Sequence, residues 1–140
     1  MKVIALKGKA NIGKTTTLNI VYQFLLEDGY TQVSGNFREL GNPKMKDFID
    51  ILEKDDIKIG IVSMGDYSLK IGSSVRCFLQ ELDDKGCSVS ICASRTDKIG
   101  TINAVKRYTN HHFIDKRILS TLSEERILNY NDVKDIISKI

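Results

Sequence analysis

The chain has 140 residues, of which 41% are hydrophobic and 28% charged, and its formal net charge is +3. That length suits one domain with a real core, and the composition excludes disordered, low-complexity and collagen-like classes. Acids and bases are interspersed and no apolar run approaches a membrane span, so nothing here calls for nucleic acid or a membrane as partner.

The N-terminal run Lys2-Val-Ile-Ala-Leu-Lys7 is short, apolar and bounded by Gly8, as a buried parallel strand is. It leaves no room for a signal peptide, so a cytoplasmic protein is expected. Gly8-Lys-Ala-Asn-Ile-Gly-Lys-Thr15 follows and matches G-x-x-x-x-G-K-[ST] in full. Each fixed position has a task. Gly8 and Gly13 let the backbone curl so that the amides of Lys9, Ala10, Asn11, Ile12 and the residues through Thr16 point at a phosphate. Lys14 brings a cation to the β- and γ-phosphates, and the Thr15 hydroxyl can hold magnesium. Leu18, Val21, Tyr22, Leu25 and Leu26 then recur at helical spacing until Gly29, so the loop opens a helix whose dipole adds to the attraction.

Thr31 to Phe37 reads as a weak strand interrupted by Gly35, and Phe37, Arg38 and Glu39 as a polar connection or a contact to a second substrate. Asn42 followed by Pro43 predicts a helix start, with Met45, Phe48, Ile49 and Leu52 as its buried stripe and an end near Asp55. Ile57 to Ser63 is a strand rich in β-branched residues, and Ile71, Val75, Phe78, Leu79 and Leu82 predict a helix up to Gly86. Cys87 to Ala93 predicts another strand, Thr101 to Tyr108 a short helix, and His112 to Ile114 an edge strand. Val133, Ile136, Ile137 and Ile140 mark a final helix with Asn131 as cap. Cys77, Cys87 and Cys92 lack metal-ligand spacing and read as reduced, buried thiols. His111 and His112 are adjacent, so along a strand they point to opposite faces and cannot share a metal.

Alternation of strands with helices predicts an α/β fold, a three-layer α/β/α sandwich with a mostly parallel central sheet. Ligands of such sheets bind beyond the carboxyl ends of the strands, so the residues just after each strand are the candidates. After Ser63, Met64-Gly65-Asp66 offers a carboxylate for metal binding and catalysis, or else a helix cap or turn residue. After Ala93, Ser94-Arg95-Thr96-Asp97 offers Arg95 to neutralise charge on a transferring phosphoryl group, or a solvated turn.

Through Gly8 to Thr15 and the strand and helix around it, the first thirty residues resemble the P-loop NTPase superfamily. The resemblance implies one nucleotide-binding domain over residues 1–140, of the P-loop sandwich type, taking a nucleoside triphosphate with Mg2+. Asp66 is similar in position to the Walker B acid, and Ser94 and Arg95 replace two positions of the guanine-reading [NT]-K-x-D motif, so ATP is expected rather than GTP. Gly-Lys-x-x-Ile-Gly-Lys-Thr-Thr-Thr also resembles the deviant Walker loop of ParA, MinD and nitrogenase iron proteins, which implies a homodimer with Lys9 reaching the partner's phosphates. The expected activity is Mg-dependent hydrolysis of the γ-phosphate, with Lys14, Asp66 and Arg95 catalytic and Thr15 and Asp66 on the metal. The alternatives are phosphoryl transfer to a small-molecule or nucleotide acceptor, and a nucleotide-dependent switch moving Met64 to Gly72 and Phe37 to Asn42.

Overall fold

The fold is organised around β1 (Lys2–Gly8), whose Val3, Ile4, Ala5 and Leu6 are all fully buried. It pairs in parallel with β6 (Val89–Arg95) on one side and β7 (His111–Asp115) on the other. Beyond β6 the sheet continues with β5 (Ile57–Val62), again parallel. β4 (Asp47–Lys54) then reverses direction against β5, and the short β2 (Thr31–Gln32) and β3 (Arg38–Leu40) both pair antiparallel with β4. The structure, a computed structural model, describes residues 1–41, 46–65, 74–118 and 122–140, with only the backbone for 122–125. Among these the chain is an α/β protein with a seven-stranded sheet in the order β2-β4-β5-β6-β1-β7, β3 adding to β4. The sheet is mixed, which corrects the expectation of a mostly parallel one.

Successive residues of a strand face opposite sides, so the sheet feeds two cores. Ile4, Leu6 and Ile91 join Leu18, Val21 and Leu25 of α1 (Lys14–Glu27) and Val133 and Ile136 of α4 (Leu122–Ile137). Val3, Ala5 and Cys92 join Phe78, Leu79 and Leu82 of α2 (Val75–Asp84) and Ala104 and Val105 of α3 (Ile99–Lys106). Each such aliphatic side chain removed from water stabilises the fold by about 1.5–3 kcal/mol before entropy is counted. None of the described helices is long and apolar enough to cross a membrane.

β4 replaces the helix predicted to end near Asp55. Its apolar residues at 48, 49 and 52 fit helical spacing, but they divide by strand alternation: Phe48 and Leu52 enter the first core, Ile49 and Ile51 the second. A strand buried on both faces loses the polar alternation that would have identified it. The chain then turns through Asp55 and Asp56, both left-handed at φ +51° and +62°, and Lys54 pairs directly with Ile57. That is the two-residue hairpin that suits strand twist. The start expected at Asn42 and Pro43, Met45 of that stripe, and Ile71 of the next helix lie outside the described residues. The last helix begins at Leu122, so Asn131 lies inside it rather than capping it.

The thiols of Cys87 and Cys92 are buried, and burial pushes them up to about 11 and about 12. Cys77 on α2 is half-buried, and none of the three is in a disulfide. β7 is the edge strand expected, one residue longer at each end.

Candidate functional site

Leaving β1 at Gly8, the chain enters α1 through a loop in which Asn11 and Gly13 are left-handed, at φ +56° and +88°. Asparagine tolerates that region, and glycine has no Cβ to clash. Gly13 is the N-cap of α1 and offers no side-chain cap. The first-turn residues Lys14, Thr15 and Thr16, with Gly13, Ala10 and Asn11, line a hollow of about 250 Å³. Main-chain N–H groups at such a helix start favour an anion. Lys14 is only 8% exposed, and its ammonium donates to the carbonyl oxygens of Gly8, at 3.1 Å, and Lys9. Gly8, Ile12 and the exposed Lys9 are not in the walls of the hollow.

The hollow is also lined by Asp47, the first residue of β4, and Ser63, directly after β5. Thr15 Oγ1 donates to Asp47 Oδ1 at 2.8 Å, and Ser63 Oγ donates to the same oxygen at 3.1 Å. Ser63 Oγ in turn accepts from the Phe48 amide at 2.9 Å, which locks its rotamer. Asp47 and Ser63 are 6% and 1% exposed. Next, Gly65 brings the chain against β6: a Cβ there would lie 3.0 Å from the carbonyl carbon and oxygen of Ala93, tight against main-chain atoms. Asp66 follows immediately, outside the described residues.

Asp47 is the residue of this candidate site that sequence reasoning missed. Because β4 runs antiparallel to β5, its first residue lies at the sheet edge where β1, β5 and β6 end. A search confined to strand exits passes over it. The signal available was the acid ahead of an apolar run that closes in a tight Asp55-Asp56 turn.

Magnesium prefers oxygen donors, accepts one or two carboxylates and completes its shell with water and phosphate oxygens. The Thr15 hydroxyl and Asp47 carboxylate, already in contact, fit that requirement. Among the described residues no group of three His, Cys, Asp or Glu side chains converges on one point.

Arg95 pairs with Gly8 in the β1–β6 register, yet its guanidinium is held by Asp97, Nε to Oδ1 at 2.9 Å and Nη2 to Oδ2 at 2.6 Å. Those hydrogen bonds hold the Asp97 carboxyl down at about 2. The structure does not bring Arg95 into the walls of the hollow.

A second hollow, of about 460 Å³, opens where α1 meets β3 and β4. Its walls include Asn19, one helical turn after Thr15, and Lys46 and Phe48, which flank Asp47 in the chain. No residue lines both hollows; they are linked through these neighbours along β4 and α1. Phe37, 50% exposed, stacks on the buried Phe48 with centroids 6.1 Å apart and planes at 22°. Tyr22 also lines it, and its hydroxyl donates to Asp50 Oδ2 at 2.9 Å and accepts from Gln32 Nε2 at 2.6 Å. Burial, then the bond to Asp50, pushes the phenol up to about 12.

No protein family, curated protein or solved structure matches this chain.

Proposed function

We propose that this protein binds Mg2+–ATP at the Gly8–Thr15 loop and acts on the γ-phosphate, in a three-layer sandwich of the P-loop type. The observation that carries the reading is the contact of Thr15 Oγ1 with Asp47 Oδ1, beside a buried Lys14 and the open start of α1. Loop amides and the Lys14 ammonium hold the phosphates. Thr15 and Asp47 hold the metal, which neutralises charge developing on the phosphate oxygens. Ser63 fixes the Asp47 carboxylate so that it need not reorganise. Catalysis by these groups is positioning and electrostatics, with water as the default acceptor.

Asp47→Asn keeps the shape and removes the charge, so Mg-dependent ATP turnover falls by about 100-fold while nucleotide affinity changes far less. Unchanged turnover in this variant refutes the metal role of Asp47. Transfer to a small molecule is the second reading, and the aromatic hollow lined by Asn19 of α1 and by the chain neighbours of Asp47 favours it.

A further inference from the structure

Phe37 is a large aromatic ring, half exposed, that lines the hollow between α1, β3 and β4. Strand alternation explains how it and Glu39 come to the α1 side: Arg38 points the other way, to Glu81 on α2, and Leu40 packs in the second core. Phe37, Phe48 and Tyr22 give the hollow π surfaces, and aromatic faces of this kind hold planar rings in offset or edge-on contact. Around them stand polar groups of mixed character. Asn19 Nδ2 is committed to the Thr15 carbonyl at 2.9 Å, which leaves its Oδ1 as an acceptor. Gln23 offers both donor and acceptor, Glu39 an acceptor and Lys46 a donor. None of these last three side chains makes a hydrogen bond or ion pair among the described residues. A volume of about 460 Å³ lies in the range of small-molecule sites, about 300–1,000 Å³.

Flat rings edged with both donors and acceptors are the chemistry that matches such walls. We propose that this hollow binds a nucleobase, and that the nucleoside or nucleoside monophosphate carrying it is the acceptor of the γ-phosphoryl group. This inference rests on the Mg2+–ATP reading of the neighbouring loop. In the reaction an acceptor oxygen forms a bond to the γ-phosphorus as the bond from that phosphorus to the β–γ bridging oxygen breaks. ADP leaves, the acceptor becomes its phosphate ester or anhydride, and where the oxygen is a hydroxyl its proton passes to the medium. Lys46 is placed to meet a phosphate on a monophosphate acceptor.

The test is calorimetry of the full chain with adenosine, guanosine, cytidine and thymidine and with their 5′-monophosphates, followed by ADP release from Mg2+–ATP with each probe. One base binds, and its nucleoside or monophosphate raises ADP release at least about tenfold over water alone. Phe37→Ala and Glu39→Gln, at exposed positions, each lower affinity for that probe by about tenfold, the scale of one lost stacking partner, and leave Mg2+–ATP binding unchanged. A rise with the monophosphate alone, abolished by Lys46→Ala, assigns the acceptor oxygen to its phosphate. Mg2+–ATP binding with no heat from any base-bearing probe overturns the inference and leaves the parent reading intact. Binding that survives both substitutions, or that fails to raise ADP release, overturns it too. Absence of heat from Mg2+–ATP itself refutes the parent reading, and with it the transfer step.

Discussion

Two buried lysines, Lys116 after β7 and Lys14 at the start of α1, stand in different surroundings. Lys116, directly after β7, donates its main-chain N–H to Lys7 O at 2.8 Å, which sets it beside the end of β1. Its ammonium meets Asp132 Oδ2 at 3.0 Å, with side chains 1% and 0% exposed, and also donates to the carbonyl of Arg117. Arg117 takes the other Asp132 oxygen at 2.6 Å and Asp135 at 2.6 Å. Both charges are thus matched inside the protein, and α4 is tied to the sheet. Lys14 reaches main-chain carbonyls and borders open volume at a helix start. Burial of a cation is common to both sites. The surroundings differ: Lys116 is enclosed with Asp132, whereas Lys14 borders a hollow of about 250 Å³ at a helix start.

The comparison can be broken at its structural end first. Lys116→Ala leaves Asp132 buried with one cation fewer and lowers stability by about 3–5 kcal/mol, measured by urea unfolding, while the folded fraction still binds Mg2+–ATP. A loss below about 1 kcal/mol shows that Arg117 alone satisfies Asp132, and that the two lysines differ less than the geometry implies.

A partly exposed pair grades the same scale. Arg38 donates to Glu81 at 2.7 and 2.8 Å, and these bonds are the chief reason the Glu81 carboxyl falls from 4.5 to about 2. The fold favours the carboxylate, so this stabilisation is complete above pH 4.5 and is lost as pH falls toward 2. Solvent screening limits it to under about 1 kcal/mol. Arg38→Ala flattens the acid limb of the stability curve; an unaltered limb shows that the pair contributes nothing.

The smallest effect is expected at Arg95. With its guanidinium on Asp97, Arg95→Ala changes Mg2+–ATP turnover by no more than about twofold in a steady-state assay. A much larger fall shows that Arg95 leaves Asp97 to reach the phosphates, as the sequence alone suggests.

Much of this molecule is legible in the chain. β1, the glycine loop and α1 are local: one apolar run, one motif and one 3.6-residue period, each undisturbed by distant contacts. β5 and β6 are equally plain, because buried parallel strands are short apolar runs. β4 is not, since Phe48, Ile49 and Leu52 satisfy helical and strand spacing alike, and its Asp-Asp turn lacks the glycine that marks most tight hairpins. Missing the strand hides its direction, and the direction is what carries Asp47 to Thr15. The second hollow is harder still. Asn19, Phe37 and Phe48 come together only once β3 has paired with β4 under α1, a tertiary outcome with no local signature.

The central claim is that Lys14 serves a ligand and not the fold. Titration calorimetry of Mg2+–ATP into the wild-type chain and into Lys14→Ala, each first shown by thermal unfolding to be equally stable within about 1 kcal/mol, tests it directly. The account predicts saturable heat with the wild-type and a loss of at least about 100-fold in affinity with the variant. Equal affinity in the two proteins, or no heat from the folded wild-type at millimolar nucleotide, contradicts it.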